Sequence, residues 1–294
     1  MSPSSDPPRI FDVQRRTARL ERSEKTLSRA DFLHARAAEN AVGSLEALVR
    51  DWPETADLSA HPGAFAAALA DSTAAERVGP VKAVGDRAAR AGPGAGPPDL
   101  AIGSQDLIVS LMSLHWANDL PGALSQIRRA LKPDGLFLGT LLGAGTLKEL
   151  RAVLTEAELE ARGGAQARVS PFADGFDGAA LLQRAGLALP VADVDRVTVR
   201  YPDLFALIRD LRAMGETNVL AGAVRPLTRG IFARAAQLYS ERFGDADGRI
   251  AATFEIVHLA GWAPHESQQK PLARGSAKMR LADALGVREQ TGED

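Results

Sequence analysis

Apolar positions along the chain follow two alternating rhythms. Between Arg29 and Val49, Leu33, Ala37, Val42, Leu45 and Leu48 recur at helical spacing and predict an amphipathic helix. Trp52-Pro53 ends it, because proline disfavours the helical conformation in the residue before it. Short strands are predicted at Thr55–Ser59 and Val81–Val84, with an Ala-rich helix from Ala64 to Ala70 between them. The run Asp106–Met112 is apolar after its first residue except at Ser110, as in a parallel strand covered on both faces. A helix over Asp119–Leu131, a turn at Lys132–Gly135 and a second buried strand at Leu136–Leu142 follow. Helices are predicted at Thr146–Ala161, Asp177–Ala185, Leu204–Met214 and Ile231–Phe243, and strands at Val191–Val199 and Ile250–Trp262. Gly186 suits the end of the second of these helices. The alternation argues for a doubly wound, mainly parallel α/β sheet. Residues 88–98, dense in Gly and Pro, read as a loop.

Composition narrows the chemistry more than the fold. The 294 residues carry 35 basic and 37 acidic side chains, which gives no basis for a broad nucleic-acid surface. There is no cysteine, so disulfides, thiolate metal sites and a cysteine nucleophile are excluded. No apolar run is long enough to span a bilayer, and Met1–Pro8 is polar and unlike a secretory signal. The expectation is a cytoplasmic protein. Residues 13–30 are rich in Arg, Glu and Lys, and Arg15, Arg16 and Arg19 read as a solvated helical face.

The most distinctive stretch is Ser113-Leu-His-Trp-Ala-Asn-Asp119, at the tip of a buried strand and ahead of a helix. In open α/β sheets ligands bind beyond the carboxyl ends of the strands, so this tip faces the expected cleft. The stretch through Lys132-Pro-Asp-Gly-Leu-Phe137 resembles the fourth-strand, helix and fifth-strand segment of S-adenosylmethionine-dependent methyltransferases. Phe11-Asp12, Ser113–Asp119, Val169-Ser-Pro-Phe172, Tyr201-Pro-Asp-Leu-Phe205, Leu211-Arg-Ala-Met-Gly215 and His265-Glu-Ser-Gln-Gln269 are similar to one branch of these. It is the branch of the complex I assembly factor that acts as a protein-arginine hydroxylase, with its alphaproteobacterial relatives. The malonyl-carrier-protein methyltransferase of biotin synthesis is a more distant likeness.

The resemblance implies a Rossmann-like class I methyltransferase fold over 29–277, with cap helices at about 146–161 and 201–243 and a third-strand region that looks shortened. A polar arm (1–28) and a tail (278–294) would flank it. The implied cofactor is S-adenosylmethionine. Its contacts would be Asp57, Ser59, Gly63, Asp86 (ribose), Asp99 (adenine side), Ser113 and Leu114. His115, Trp116, Tyr201, His265, Glu266 and Gln268 would touch a protein substrate or a complex I assembly intermediate. Two features depart from the family. Ser59 and His61 replace the first two glycines of the cofactor loop, where a Cβ restricts φ and crowds a ligand. The segment after Val84 is also short.

Several residues have a plainer reading. Asp57 could cap the following helix, and His61 reads as a surface-loop histidine. His115 and Trp116 could plug the core. His265–Lys270 could be a solvated turn, and no metal site is expected. Three functions stay open: a protein-directed assembly factor or hydroxylase, an active methyltransferase, and a non-catalytic binding protein.

Overall fold

In the computed structural model, which describes residues 9–85, 100–172 and 177–269, the apolar run at Asp106–Met112 forms strand β3 (Gln105–Leu111). All of β3 is buried except Asp106, which is half-buried. Its alternation feeds two layers of core. Leu107, Val109 and Leu111 pack with Leu33, Ala37 and Leu45 of the helix Phe32–Glu46 on one face. Ile108 packs with Leu124, Ile127 and Leu182 on the other.

Among the described residues six strands make one sheet, with β1 (Thr55–Asp57), β2 (Val81–Ala83), β3, β4 (Leu131–Leu142), β5 (Ala188–Tyr201) and β6 (Ile250–Trp262) in the order β2-β1-β3-β4-β6-β5. β2, β1, β3 and β4 run parallel, and β6 is antiparallel to both of its neighbours. This is the strand order of the class I methyltransferase fold, as the resemblance implied. The shortened third-strand region expected after Val84 lies outside the described residues, as do Asp86 and Asp99.

The helices are α1 (Val13–Ser23), α2 (Phe32–Glu46), α3 (Gly63–Ala70), α4 (Leu120–Ala130), α5 (Lys148–Arg162), α6 (Gly178–Arg184), α7 (Leu204–Ala213) and α8 (Arg229–Phe243). Local chemistry starts four of them. Asp12, Asp119, Asp203 and Thr228 each accept a backbone N–H from the first turn that has no partner inside the helix. Pro in the first turn of α4 costs nothing, because its missing N–H would be unpaired there anyway.

Because β6 runs against β4, its first residues lie at the carboxyl end of the parallel strands, with Ile256 opposite Leu142 and Trp262 opposite Leu136. α5 and α8 pack on each other and on β6. Leu150, Val153, Leu238 and Tyr239 close over Ile250, Ala252 and Phe254 in the same core.

Two local expectations change. The turn at Lys132–Gly135 is a kink inside β4, with Asp134 at φ +63° and a register shift against β3. The stretch 13–30 is not a solvated face throughout, because α1 buries Leu20 and Arg16. The chain divides into two compact units, Met1–Pro264 and His265–Asp294.

Candidate functional site

β1 delivers the expected cofactor loop, which is packed rather than open. Asp57 is fully buried, and its Oδ1 accepts the N–H of Ser59 at 2.8 Å. Its Oδ2 has no hydrogen-bond partner, and burial pushes its pKa up to about 6. Asp57 does not cap α3. The residue before that helix, Pro62, makes no side-chain cap, and Asp57 turns back to its own strand end instead.

Ser59 Oγ, at the first of the family's glycine positions, accepts the N–H of Leu111 at 2.9 Å and so ties the loop to β3. His61, at the second, is not a surface histidine: it is 8% exposed. Its ring meets His34 of α2 edge-on at 4.9 Å, and its Nε2 lies 3.4 Å from Ser23 Oγ of α1. α1 and α2 fold over this loop, which sequence alone gave no reason to expect. Gly63 opens α3 with free space around it. Ser113 and Leu114 sit buried just beyond β3, and Ser113 Oγ has no hydrogen-bond partner.

Next to this loop the tip of β3 builds a polar cluster around a residue that sequence reasoning missed. Glu216 follows Gly215 at the end of α7, and its side chain is 1% exposed. Its Oε2 faces His115 Nε2 at 2.9 Å and accepts Trp116 Nε1–H at 2.9 Å. Its Oε1 accepts Arg16 at 3.1 Å, and the same guanidinium donates to Gly215 O at 2.8 Å. Arg16 also stands over the Trp116 ring, 5.0 Å from its centroid. Burial raises the Glu216 pKa, but the charge of Arg16 and the contact with His115 outweigh it and hold the carboxyl well below its usual range. Gly215 has φ +76°, and a Cβ there would meet Ser23 Oγ at 2.8 Å, so glycine lets α1 approach this closely. The sequence signal for Glu216 was weak, a single acid behind a helix-ending glycine.

Motifs distant in the chain converge here. Asn118 Oδ1 accepts the N–H groups of Ile10 and Phe11, and its Nδ2 donates to Phe11 O. Phe11 pairs with Leu220, while Phe11 and Phe172 both pack edge-on against Trp116. Phe11-Asp12, Ser113–Asp119, Val169–Phe172 and Leu211–Gly215 thus meet at one place.

Beside the cluster lies a cavity of about 520 Å³. Leu150 and Leu154 of α5, Phe172, Ile208 of α7 and Val224 give it apolar walls, with Trp116 and Glu216 at one side and Arg168 at another. Its size suits a side chain or small ligand. Tyr201 does not line it. That residue is buried at the end of β5, where burial and the nearby Asp210 push its pKa upward. His265, Glu266 and Gln268 lie in an exposed turn, in which His265 Nδ1 contacts Ser267 Oγ at 2.7 Å. Among the described residues no group of three or more His, Asp or Glu side chains is placed to hold a metal ion.

Removing one partner of the buried pair strands the other. Glu216→Gln and Arg16→Met should each cost about 3 kcal/mol in urea unfolding, and the double variant clearly less than their sum. Additive costs would show that the two charges do not depend on each other. His34 gives a pH test. Its ring nitrogens have no hydrogen-bond partner, and burial first, then nearby His61, push its pKa down from 6.5 to about 3. The unfolded chain therefore takes up a proton that the fold refuses. Stability is kept above pH 6.5 and lost as pH falls toward 3, with a slope approaching about 1.4 kcal/mol per pH unit. His34→Leu should flatten that decline, and an unchanged slope would assign it to other groups.

A methyltransferase domain family matches residues 63–139. "Arginine-hydroxylase NDUFAF5, mitochondrial" of Danio rerio is 46% identical over 178 residues, covering 60% of this chain and 56% of that protein. "Malonyl-[acyl-carrier protein] O-methyltransferase" of a Methylovorus strain is 38% identical over 165 residues, 56% of this chain and 53% of that one. Among solved structures, a Haemonchus contortus phosphoethanolamine N-methyltransferase has a TM-score of 0.40 at 15% identity, over 77% of this chain and 52% of its own. The chain spans about half the length of the curated relatives it matches. Residues 63–139 thus match a methyltransferase domain family, and the chain is similar to the NDUFAF5 arginine-hydroxylases and, more distantly, to the malonyl-carrier-protein methyltransferases.

Proposed function

We propose that this protein acts on, or holds, a protein substrate as an assembly factor of the arginine-hydroxylase kind, with respiratory complex I intermediates as its partner. One observation carries the reading: four motifs of that branch, far apart in sequence, converge on the Glu216 cluster and its cavity. Three of them line the cavity through Trp116, Val169, Phe172 and Leu211, and Phe11 packs against Trp116, so the reading concerns what enters that cavity. A lining of leucine, isoleucine and phenylalanine with Arg168 and Glu216 at its edges suits the aliphatic stem and polar end of a protein side chain. The proposed compartment is the cytoplasm. The arginine-hydroxylase relatives are mitochondrial by name, and no helix among the described residues is long and apolar enough to cross a membrane.

The residues of the cofactor loop do not fit S-adenosylmethionine as they stand. Ser59 Oγ is engaged by Leu111, His61 fills the second glycine position against His34 and Ser23, and Asp57 has no exposed surface. No step of the proposed activity is therefore routed through that cofactor. A second reading, an active methyltransferase, has one observation in its favour: Asp57 Oδ2 and Ser113 Oγ, at the ends of neighbouring strands, are buried without partners.

Two experiments test these readings. Deleting the gene should lower the amount of assembled complex I in membranes. Wild-type protein should restore it, and Val224→Arg, which puts a bulky charge on an exposed wall of the cavity, should not. Unchanged assembly after deletion removes the proposal. In calorimetric titration the wild type should bind S-adenosylmethionine and S-adenosylhomocysteine no tighter than about 1 mM, and Ser59→Gly with His61→Gly at least about tenfold tighter. Micromolar binding by the wild type would put the methyltransferase reading first.

A further inference from the structure

A second cavity, of about 510 Å³, lies between α1, the one-turn helix Leu27–Arg29 and the carboxyl end of α7. Arg19, Arg22, Arg29, Arg209 and Arg212 line it, against a single carboxylate, Asp210. Among the described residues none of the five arginines makes an ion pair, although the chain as a whole has a formal charge of −2. Arg19 is half-buried, donates to Thr217 Oγ1, and leaves its Nε buried without a partner. Burial and the repulsion of Arg22, Arg15, Arg212 and Arg16 lower its pKa.

Helix ends account for part of this, since Arg22 and Arg212 stand in the last turns of α1 and α7, where the dipole favours cations. They do not account for Arg19, Arg29 or Arg209, and among the described residues Asp210 is the one carboxylate that lines the cavity. A guanidinium presents paired donors that match a carboxylate or phosphate edge.

The shape of the site discriminates between those sources. The five groups come from three separate elements, and the part of α7 that lines the cavity is its carboxyl end. The converging backbone N–H groups of a helix N-terminus, which usually hold a lone phosphate, are therefore not what faces it. Arg19, Arg212 and Thr217 are also walls of the apolar cavity beside Glu216, so the two cavities adjoin. A ligand with apolar and anionic groups a few ångströms apart fits both at once, and an extended polypeptide, at about 3.3–3.6 Å per residue, is such a ligand.

We propose that the arginine-lined cavity is a docking site for an acidic stretch of the protein substrate, whose neighbouring residue enters the cavity beside Glu216. This rests on the reading of the protein as one that works on a polypeptide. The acidic stretch fixes register and raises the rate of encounter, as long-range charge complementarity does elsewhere.

The test is a fluorescence-anisotropy titration of the full chain with labelled hexaglutamate, with labelled hexaglutamine as control and pyrophosphate as competitor. Hexaglutamate should bind saturably at 50 mM salt, at least about tenfold more weakly at 300 mM, and hexaglutamine should not bind. Arg22→Gln with Arg209→Gln, both exposed, should weaken binding at least about tenfold. Arg128→Gln with Arg129→Gln, exposed on α4 and lining neither cavity, should leave it unchanged. No saturable binding, equal loss in both pairs, or displacement by an equal concentration of pyrophosphate overturns the proposal, the last by assigning the site to a small phosphate ligand. The titration reads this cavity without any activity, so its failure is distinguishable from failure of complex I complementation. Complementation with no titration removes only the acidic stretch, and titration without complementation removes the assembly role.

Discussion

A buried carboxylate needs donors, and the Glu216 cluster joins three distant parts of the chain. Arg16 comes from the first helix, His115 and Trp116 from the tip of the central strand, and the carboxylate itself from the end of α7. Burying that charge alone would be very costly, so each donor constrains where the others can lie. α1 cannot detach without stranding Glu216, and the 215–221 segment cannot move without stranding Arg16. Gly215 makes the approach possible, and Asn118 repeats the constraint on the backbone by holding Ile10 and Phe11.

The same constraint bears on the loop that follows β1. With α1 locked against the strand tip, Ser23 lies against His61, whose ring packs on His34. The side chains of Ser59 and His61 and the packing of α1 are two aspects of one filled volume. The buried, partnerless Asp57 Oδ2 and Ser113 Oγ remain as polar groups that the filling does not satisfy.

The packing of α1 also places charge. Both cavities share walls from α1 and α7, so the helix whose Arg16 serves the buried cluster presents Arg19 and Arg22 to the surface beside it. One turn of helix separates an arginine that is neutralised from arginines that are not.

Much of the fold was legible in the sequence. The strand at Ile250–Trp262 has the bounds that its apolar pattern predicted, and β3 was recognisable as a strand covered on both faces because its alternate residues feed two separate cores. Those features follow from local periodicity, and local periodicity is written in sequence. The strand tip at Ser113–Asp119 was legible in the same way. Glu216 was not, and neither were the burial of Arg16 and His61. Whether a charged or titratable side chain is solvated depends on which other elements pack over it, and the partners of Glu216 lie 100 to 200 residues away. Sequence alone determined the sheet, its helices and the motifs at the strand tip. Only the tertiary structure decided which polar residues those motifs enclose, because desolvation is a property of the assembled neighbourhood and not of any one segment.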